Sequence, residues 1–230
     1  MSDLQANLLI MAACYMYIIL IIFIASYLKR GILSPKTSRK FLHAMIGNLP
    51  LIMPYFTQSI FPFLVASPFI LVTFLVTPYS PFPWLNEKLS GLSDITEEGH
   101  HTGLVLYAIS YSALAFFFGT RPYLVAAGIF PMAYGDSTAA LVGMRYGRRK
   151  IGSKSLEGSA GMFFGSLISL LIGMAYFSSI YGFSLFDQIV PVLLVSIVVT
   201  VLEFLSPIGL DNIAVPILGA LTFLFAGGGV

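Results

Sequence analysis

G-D-S-T-A-A-L-V-G-M-R-Y-G-R-R-K-I-G-S-K-S-L-E-G-S-A-G-M-F-F-G, residues Gly135 to Gly165, starts inside one apolar segment and ends inside the next. Between the two it crosses the most basic loop of the chain. Asp136 stands before that loop and Glu157 after it, with Arg145, Arg148, Arg149, Lys150 and Lys154 between them. Carboxylates suited to a divalent cation, facing cations suited to phosphate oxygens, meet the needs of a nucleoside triphosphate. At a membrane surface the same pairing points to chemistry on a lipid.

The surrounding chain is that of a membrane protein. Its 230 residues are 57% hydrophobic and 10% charged, with a mean hydropathy of +0.90, whereas a soluble domain carries roughly a quarter charged residues. Apolar runs near the ~20 residues of a spanning helix recur along the whole length, and the alternation of a β-barrel is absent. The expected fold is all-α, a polytopic integral membrane bundle of about eight transmembrane helices, with seven to nine compatible. Helical segments are expected at about 6–28, 39–56, 60–77, 100–118, 123–144, 156–177, 188–204 and 211–226. Pro50 and Pro54 should kink the second. No repeat or linker divides the chain, so residues 1–230 are read as one domain. The lone Cys14 excludes an internal disulfide.

Charge sets the expected orientation. Asp3 is the only charge before the first apolar run, which therefore lacks the basic n-region of a cleaved signal. A retained helix with its N-terminus outside is the expectation. Alternate connectors then face the cytoplasm, and with the adjoining helix ends they hold every Lys and Arg except Arg121, eleven of twelve, as the positive-inside rule requires. Eight of the ten acidic residues, all but Asp3 and Asp187, fall on the same side. Insertion does not need that, so it marks a site.

Asp136 sits near the middle of an apolar stretch, where an ionisable group costs at least ~2.5 kcal/mol and is functional by default. Ala139, Gly143 and Gly147, with Gly161 and Gly165 on the next helix, are spaced for close helix contact. That contact is expected to bring Asp136 and Glu157 to a common face. The loop from Gly147 to Ser155 misses the Walker A pattern, because Ser153 intervenes between Gly152 and Lys154 and no strand precedes it. Its glycines still allow backbone N–H groups near phosphate, and Ser155 can cap the following helix, whose N-terminus favours an anion. His43 lies one turn past Arg39 and Lys40, which suggests phosphate binding or proton transfer. Glu97, Glu98, His100 and His101 lack a zinc-site spacing. Asp211 beside Asn212 is a suitable oxygen-ligand pair for Mg²⁺.

Three blocks resemble the CTP-dependent polyprenol kinases, the family of dolichol kinase, phytol kinase and the CTP-using diacylglycerol kinase. They are Arg39-Lys40-x-x-His43; Gly135-Asp136 through Gly147-Arg148 and Lys154-Ser155-x-Glu157-Gly158-Ser159; and Glu203-x-Leu205-Ser206-x-x-Gly209-Leu210-Asp211-Asn212 with Pro216. Gly103-Leu104 and Tyr107 are also similar to the family. The resemblance implies transfer of the γ-phosphoryl group of CTP, with Mg²⁺, to the hydroxyl of a membrane alcohol: phytol, geranylgeraniol, a dolichol-type polyprenol or diacylglycerol. It implies a metal set of Asp136, Glu157, Asp211 and Asn212. The implied nucleotide contacts are Arg39, Lys40, Arg148, Lys150, Lys154, Ser155, Gly158 and Ser159. Asp136, Asp211 and His43 are the candidates for taking the alcohol proton. The expected partners are CTP and the lipid alcohol, without nucleic acid, and the oligomeric state is open. The expected location is a membrane, the cell membrane if prokaryotic, with the site on the cytoplasmic side.

Two other readings compete. A CTP:phosphatidate cytidylyltransferase would use a similar Gly-Asp and basic loop but carry a further acidic signature near the C-terminus. A secondary transporter would show an inverted repeat and polar residues at the midplane reachable from both sides, whereas here they gather on one side.

Overall fold

The helix that contains Asp136 is the interior one. In the computed structural model, which describes residues 2–82, 102–207 and 209–230 and only the backbone of Pro35, Lys36 and Arg39, every residue from Leu124 to Phe130 is buried. The helices in chain order are α1 (Asp3–Lys29), α2 (Pro35–Ile46), α3 (Ile60–Ala66), α4 (Pro68–Leu75), α5 (Gly103–Phe118), α6 (Pro122–Phe130), α7 (Asp136–Tyr146), α8 (Leu156–Tyr181), α9 (Ile189–Leu205) and α10 (Asp211–Phe225). A π-helical turn, Pro131–Gly135, joins α6 to α7 without a break. The combined span Pro122–Tyr146 is packed by α5, α8 and α10, with α2 against its second half.

Small residues make the enclosure possible. A Cβ on Gly128 would lie 2.2 Å from the Pro216 carbonyl oxygen of α10, and one on Gly135 would lie 2.3 Å from Ser166 Oγ of α8. Gly165 packs on Thr138, and Gly158 on Gly143 and Ala139, so the glycine spacing that predicted close contact between these two helices is realised. In lipid no hydrophobic force drives helices together, and close approach through small residues supplies dispersion instead. α1 shows the complementary outer pattern. Asn7, Cys14, Ile18, Ile21 and Ala25 form its buried seam, while Leu9, Met16, Ile19 and Phe23 face outward.

Among the described residues, four helical stretches are long and apolar enough to cross a membrane: Asp3–Lys29, Pro122–Tyr146, Leu156–Tyr181 and Phe186–Leu205. Ile60–Leu75, Gly103–Phe118 and Asp211–Phe225 are shorter apolar helices. The second expected span differs most. α2 starts at Pro35, with Ser34 as its N-cap, and ends at Ile46, at roughly 18 Å too short to cross the apolar core. Two 3-10 turns, Leu49–Leu51 and Met53–Tyr55, take the place of its expected second half. Pro50 and Pro54 explain the change, since neither can donate to a helical ladder. The third segment divides at Pro68 for the same reason. The basic loop forms a two-stranded hairpin, Lys150–Ile151 against Lys154–Ser155, with Gly152 at φ 63° in its turn.

The two ends of the bundle differ in character. One end joins Asn7 to Thr57, through Thr57 N–H to Asn7 Oδ1 at 2.9 Å, and Gly229 to Gln188 at 2.7 Å, with Tyr123 against Tyr181 and Phe183. The other end holds the hairpin, the 206–210 connector and the described ion pairs.

Gly128→Ala forces a methyl against the Pro216 backbone and is expected to cost about 1–3 kcal/mol. Gly31→Ala meets nothing within 4 Å and should stay within about 0.5 kcal/mol. Thermal unfolding of both variants in detergent checks the contrast.

Candidate active site

Two prolines and one wide turn place the carboxylates. Pro131 has no N–H, so the ladder cannot continue through Ala127 in the usual way. The chain closes instead through Asp136 N–H to the Pro131 carbonyl, five residues back. This π turn rotates the following helix and aims Asp136 toward α2, where its Oδ2 pairs with Lys40 Nζ. Single π turns inside helices are frequent at functional sites. The two side chains are 15% and 13% exposed, so the pair is held in a largely dry setting. Ser137 Oγ donates to the Ala133 carbonyl at 2.5 Å and lies 3.2 Å from the Lys40 carbonyl, where α2 touches α7 at the same level. Pro216 acts similarly in α10: its missing N–H frees the Asn212 carbonyl, which accepts from Ser110 Oγ at 2.8 Å. That bond anchors the first turn of α10, where Asp211 Oδ1 accepts from the N–H of Gly209 at 3.1 Å and of Asn212 at 3.0 Å.

The second ion pair joins the hairpin to α9. Lys154 Nζ bonds Glu203 Oε1 at 2.8 Å and also donates to the Glu203 carbonyl. Glu203 and Asp211 each feel Asp136 and Lys154 electrostatically, and Asp211 also feels Lys40. Three carboxylates and two ammonium groups therefore share one end of the bundle. Ser155 caps α8 by accepting from Gly158 N–H at 3.1 Å. Ser159 Oγ, in the same first turn, is buried with no hydrogen-bond partner among the described residues.

The candidate residues thus separate into groups. Asp136, Lys40, Lys154 and Asp211 gather, with Asn212 beside Asp211, and Ser155, Gly158 and Ser159 form the adjoining helix start. Arg148 and Lys150 are exposed on or next to the hairpin. The Arg39 side chain lies outside the described residues, as do Glu97, Glu98, His100 and His101. Glu157 does not share a face with Asp136. Because α7 and α8 run antiparallel with Gly158 beside Ala139 and Gly143, Glu157 sits roughly two turns further along the helix axis than Asp136. Its Oε2 instead accepts from the N–H groups of Arg148 at 3.1 Å and Arg149 at 3.2 Å, which fixes the root of the hairpin. His43 is buried on α2 with its ring 4.2 Å from that of Tyr107 on α5.

Glu203 has a larger part than its place at a helix end suggested. A lone acid closing an apolar span was the available signal. A second unforeseen feature is a relay behind Asp136. Tyr134 donates to Asn48 Oδ1, and Asn48 Nδ2 donates to Tyr17 at 3.1 Å. Tyr17 then donates to the Met45 carbonyl at 2.7 Å. It binds the π turn to α1 and α2.

Among the described residues no three His, Cys, Asp or Glu side chains form a metal cage. Mg²⁺ does not need one, since it commonly takes one or two carboxylates and completes its shell with water and substrate phosphates. Asp136 and Asp211, like-charged and mutually repelling, fit a cation that arrives with a nucleotide.

The bundle has helices able to span a membrane, and the described ion pairs gather at one end of it. The chain is 32% identical over 219 residues to a phytol kinase of Synechocystis sp., covering 92% of this chain and 88% of the relative. It is 30% identical over 203 residues to a probable chloroplastic phytol kinase 1 of Glycine max, covering 82% of this chain and 66% of the relative. No family model matches the chain, and no solved structure does. The chain belongs to the polyprenol and phytol kinase family.

Removing one member of a nearly dry pair leaves the other uncompensated. Glu203→Gln is expected to destabilise the fold by about 3 kcal/mol, and Lys154→Met combined with it should recover much of that loss. A double-mutant cycle on thermal unfolding measures the coupling.

Proposed function

We propose that the protein transfers the γ-phosphoryl group of CTP to the hydroxyl of an isoprenoid alcohol at the cytoplasmic membrane surface. The observation that carries this reading is the adjacency of two environments. The Lys40–Asp136 and Lys154–Glu203 pairs lie at one end of the bundle. Beside them an apolar cavity of about 70 Å³ opens among α1, α2, α3, α4 and α5, with His43 on its wall. A substrate with a polar end and a hydrocarbon chain needs both. Kinship with phytol kinases supports the choice of an isoprenoid alcohol over other lipids.

Phosphoryl transfer asks for positioning and charge stabilisation more than covalent chemistry. In this reading Lys40 and Lys154 are prealigned cations that turn to phosphate oxygens when the nucleotide binds. Arg148 and Lys150 on the exposed hairpin close over the triphosphate. The N–H groups at the start of α8, with Ser159 Oγ, supply neutral donors, and a helix N-terminus favours an anion there. Asp136 and Asp211, with Asn212, would hold Mg²⁺, which offsets charge on the phosphates. The alcohol oxygen attacks the γ-phosphorus as its proton leaves, and the bond from that phosphorus to the CDP oxygen breaks. Of the three proton acceptors considered, His43 alone lies on the cavity wall, so it is the group placed to meet the alcohol.

Purified protein in detergent with Mg²⁺ and γ-labelled CTP should pass label to an organic-extractable product when given phytol or geranylgeraniol. Release of label only as pyrophosphate, dependent on phosphatidate, would instead identify a cytidylyltransferase. Asp136→Asn should abolish turnover and, because it leaves Lys40 uncompensated, also lower the melting temperature, so activity is read on variant protein shown to be folded and inserted. Lys154→Ala should raise the KM for CTP or lower kcat by at least about tenfold, the scale of one charge-assisted contact.

A further inference from the structure

The cavity beside the charged end contains an anomaly. Its walls are apolar, from Ile18 on α1, Ala66 on α3, Phe69 on α4 and Leu104 on α5. Yet Tyr107 and Tyr111, one helical turn apart on α5, also line it, and each is only 5% exposed. Neither phenolic oxygen has a hydrogen-bond partner among the described residues. Buried hydroxyls are almost always paired, and an orphaned one calls for an explanation. The other cavity-lining hydroxyl, Thr73 Oγ1, is satisfied by the Phe69 carbonyl at 2.6 Å. The unpaired phenols therefore do not reflect a general shortage of acceptors in this part of the fold.

The two tyrosines are not equivalent. Tyr107 lies under the His43 ring and within the electrostatic reach of Asp136 and Tyr134. Tyr111 meets Tyr107 edge-on, with ring centroids 6.0 Å apart and planes at 88°, which braces the Tyr107 ring from below. Tyr111 lies one helical turn further along α5 from the His43 ring. Tyr107 thus marks the junction of the apolar slot with the charged end.

We propose that Tyr107 is the group that reads the substrate's hydroxyl, its unpaired phenol hydrogen-bonding the oxygen of a primary isoprenoid alcohol whose hydroxyl-bearing end enters the slot. The inference rests on the isoprenoid-alcohol reading above and adds to it a recognition residue. The phenol and the His43 imidazole would then contact the same oxygen, the phenol as donor and the imidazole as acceptor of the departing proton. A hydrocarbon of equal length, or a lipid whose polar group cannot reach this depth, leaves the phenol unpaired. Specificity for an alcohol follows from that asymmetry, because a buried polar group left unpaired penalises the wrong ligand.

The test compares wild type with Tyr107→Phe in the full chain, by turnover and by lipid-dependent thermal shift. The variant should raise the KM for phytol about tenfold, with the KM for CTP unchanged. In binding, phytol should stabilise wild type at lower concentration than the matching deoxy hydrocarbon, and Tyr107→Phe should erase that difference. Without lipid, the variant should melt no lower than wild type, since no partner is lost. Retained preference for the alcohol, an unchanged phytol KM, or a clear drop in lipid-free stability would each overturn the proposal. Wild type that binds phytol over the hydrocarbon but phosphorylates no prenol would sink the kinase reading while sparing this one.

Discussion

Asp136 can stay inside the helical bundle, at its charged end, because Lys40 reaches it. A carboxylate at that depth is costly by itself, and a pair that excludes most water is stable only when its geometry is firmly held. The fold supplies that hold from three directions. The π turn aims the carboxylate, Ser137 packs against the Lys40 backbone, and the Tyr134–Asn48–Tyr17 relay ties the turn to α1 and α2. The glycines that let α8 approach serve the same end, for any added width between α7 and α8 would shift the turn.

Proline has two uses in this molecule. At Pro50, Pro54 and Pro68 it ends or divides helices, keeping α2 short and its charged N-terminal part at the level of Asp136. At Pro131 and Pro216 it stays inside continuous helices and changes where carbonyls go. One produces the wide turn. The other releases the Asn212 carbonyl to Ser110, which steadies Asp211. Prolines are tolerated in membrane helices when the freed backbone groups are satisfied again, and both of these sit one or two turns from a site carboxylate.

Much of this was legible in the sequence. The apolar runs gave the helices from Gly103 onward to within a few residues, and an acid inside such a run singled out Asp136. Ala139, Gly143 and Gly147, with Gly161 and Gly165, announced the contact of α7 with α8. Partnership across the fold was not legible. Lys154 stands 49 residues from Glu203, and no local spacing records that they meet. Closeness in sequence to the basic loop suggested Glu157 as a metal ligand and did not disclose that its carboxylate accepts from the two backbone amides of Arg148 and Arg149. The hairpin escaped notice for a related reason: two-residue strands carry no periodicity, and only Gly152 marked the turn. The orphaned phenols of Tyr107 and Tyr111 were invisible too, since an unpaired group is a property of its surroundings.

On the proposed function, segregation of the two environments accounts for the use of a membrane bundle. A long-chain alcohol dissolved in the bilayer exposes one oxygen, and a nucleotide dissolved in water exposes several charges. A single pocket suited to one would repel the other. Here α2 and α5 form the partition. Their outer portions line an apolar slot, while Lys40 on α2 faces Asp136 on the interior helix. His43, three residues from Lys40, lies on the slot side. Residues three apart on a helix are neighbours on its surface, so one turn of α2 presents a cation to the charged end and an imidazole to the lipid end. A reaction that joins a hydrophobic oxygen to a charged phosphorus needs such a boundary no thicker than a side chain.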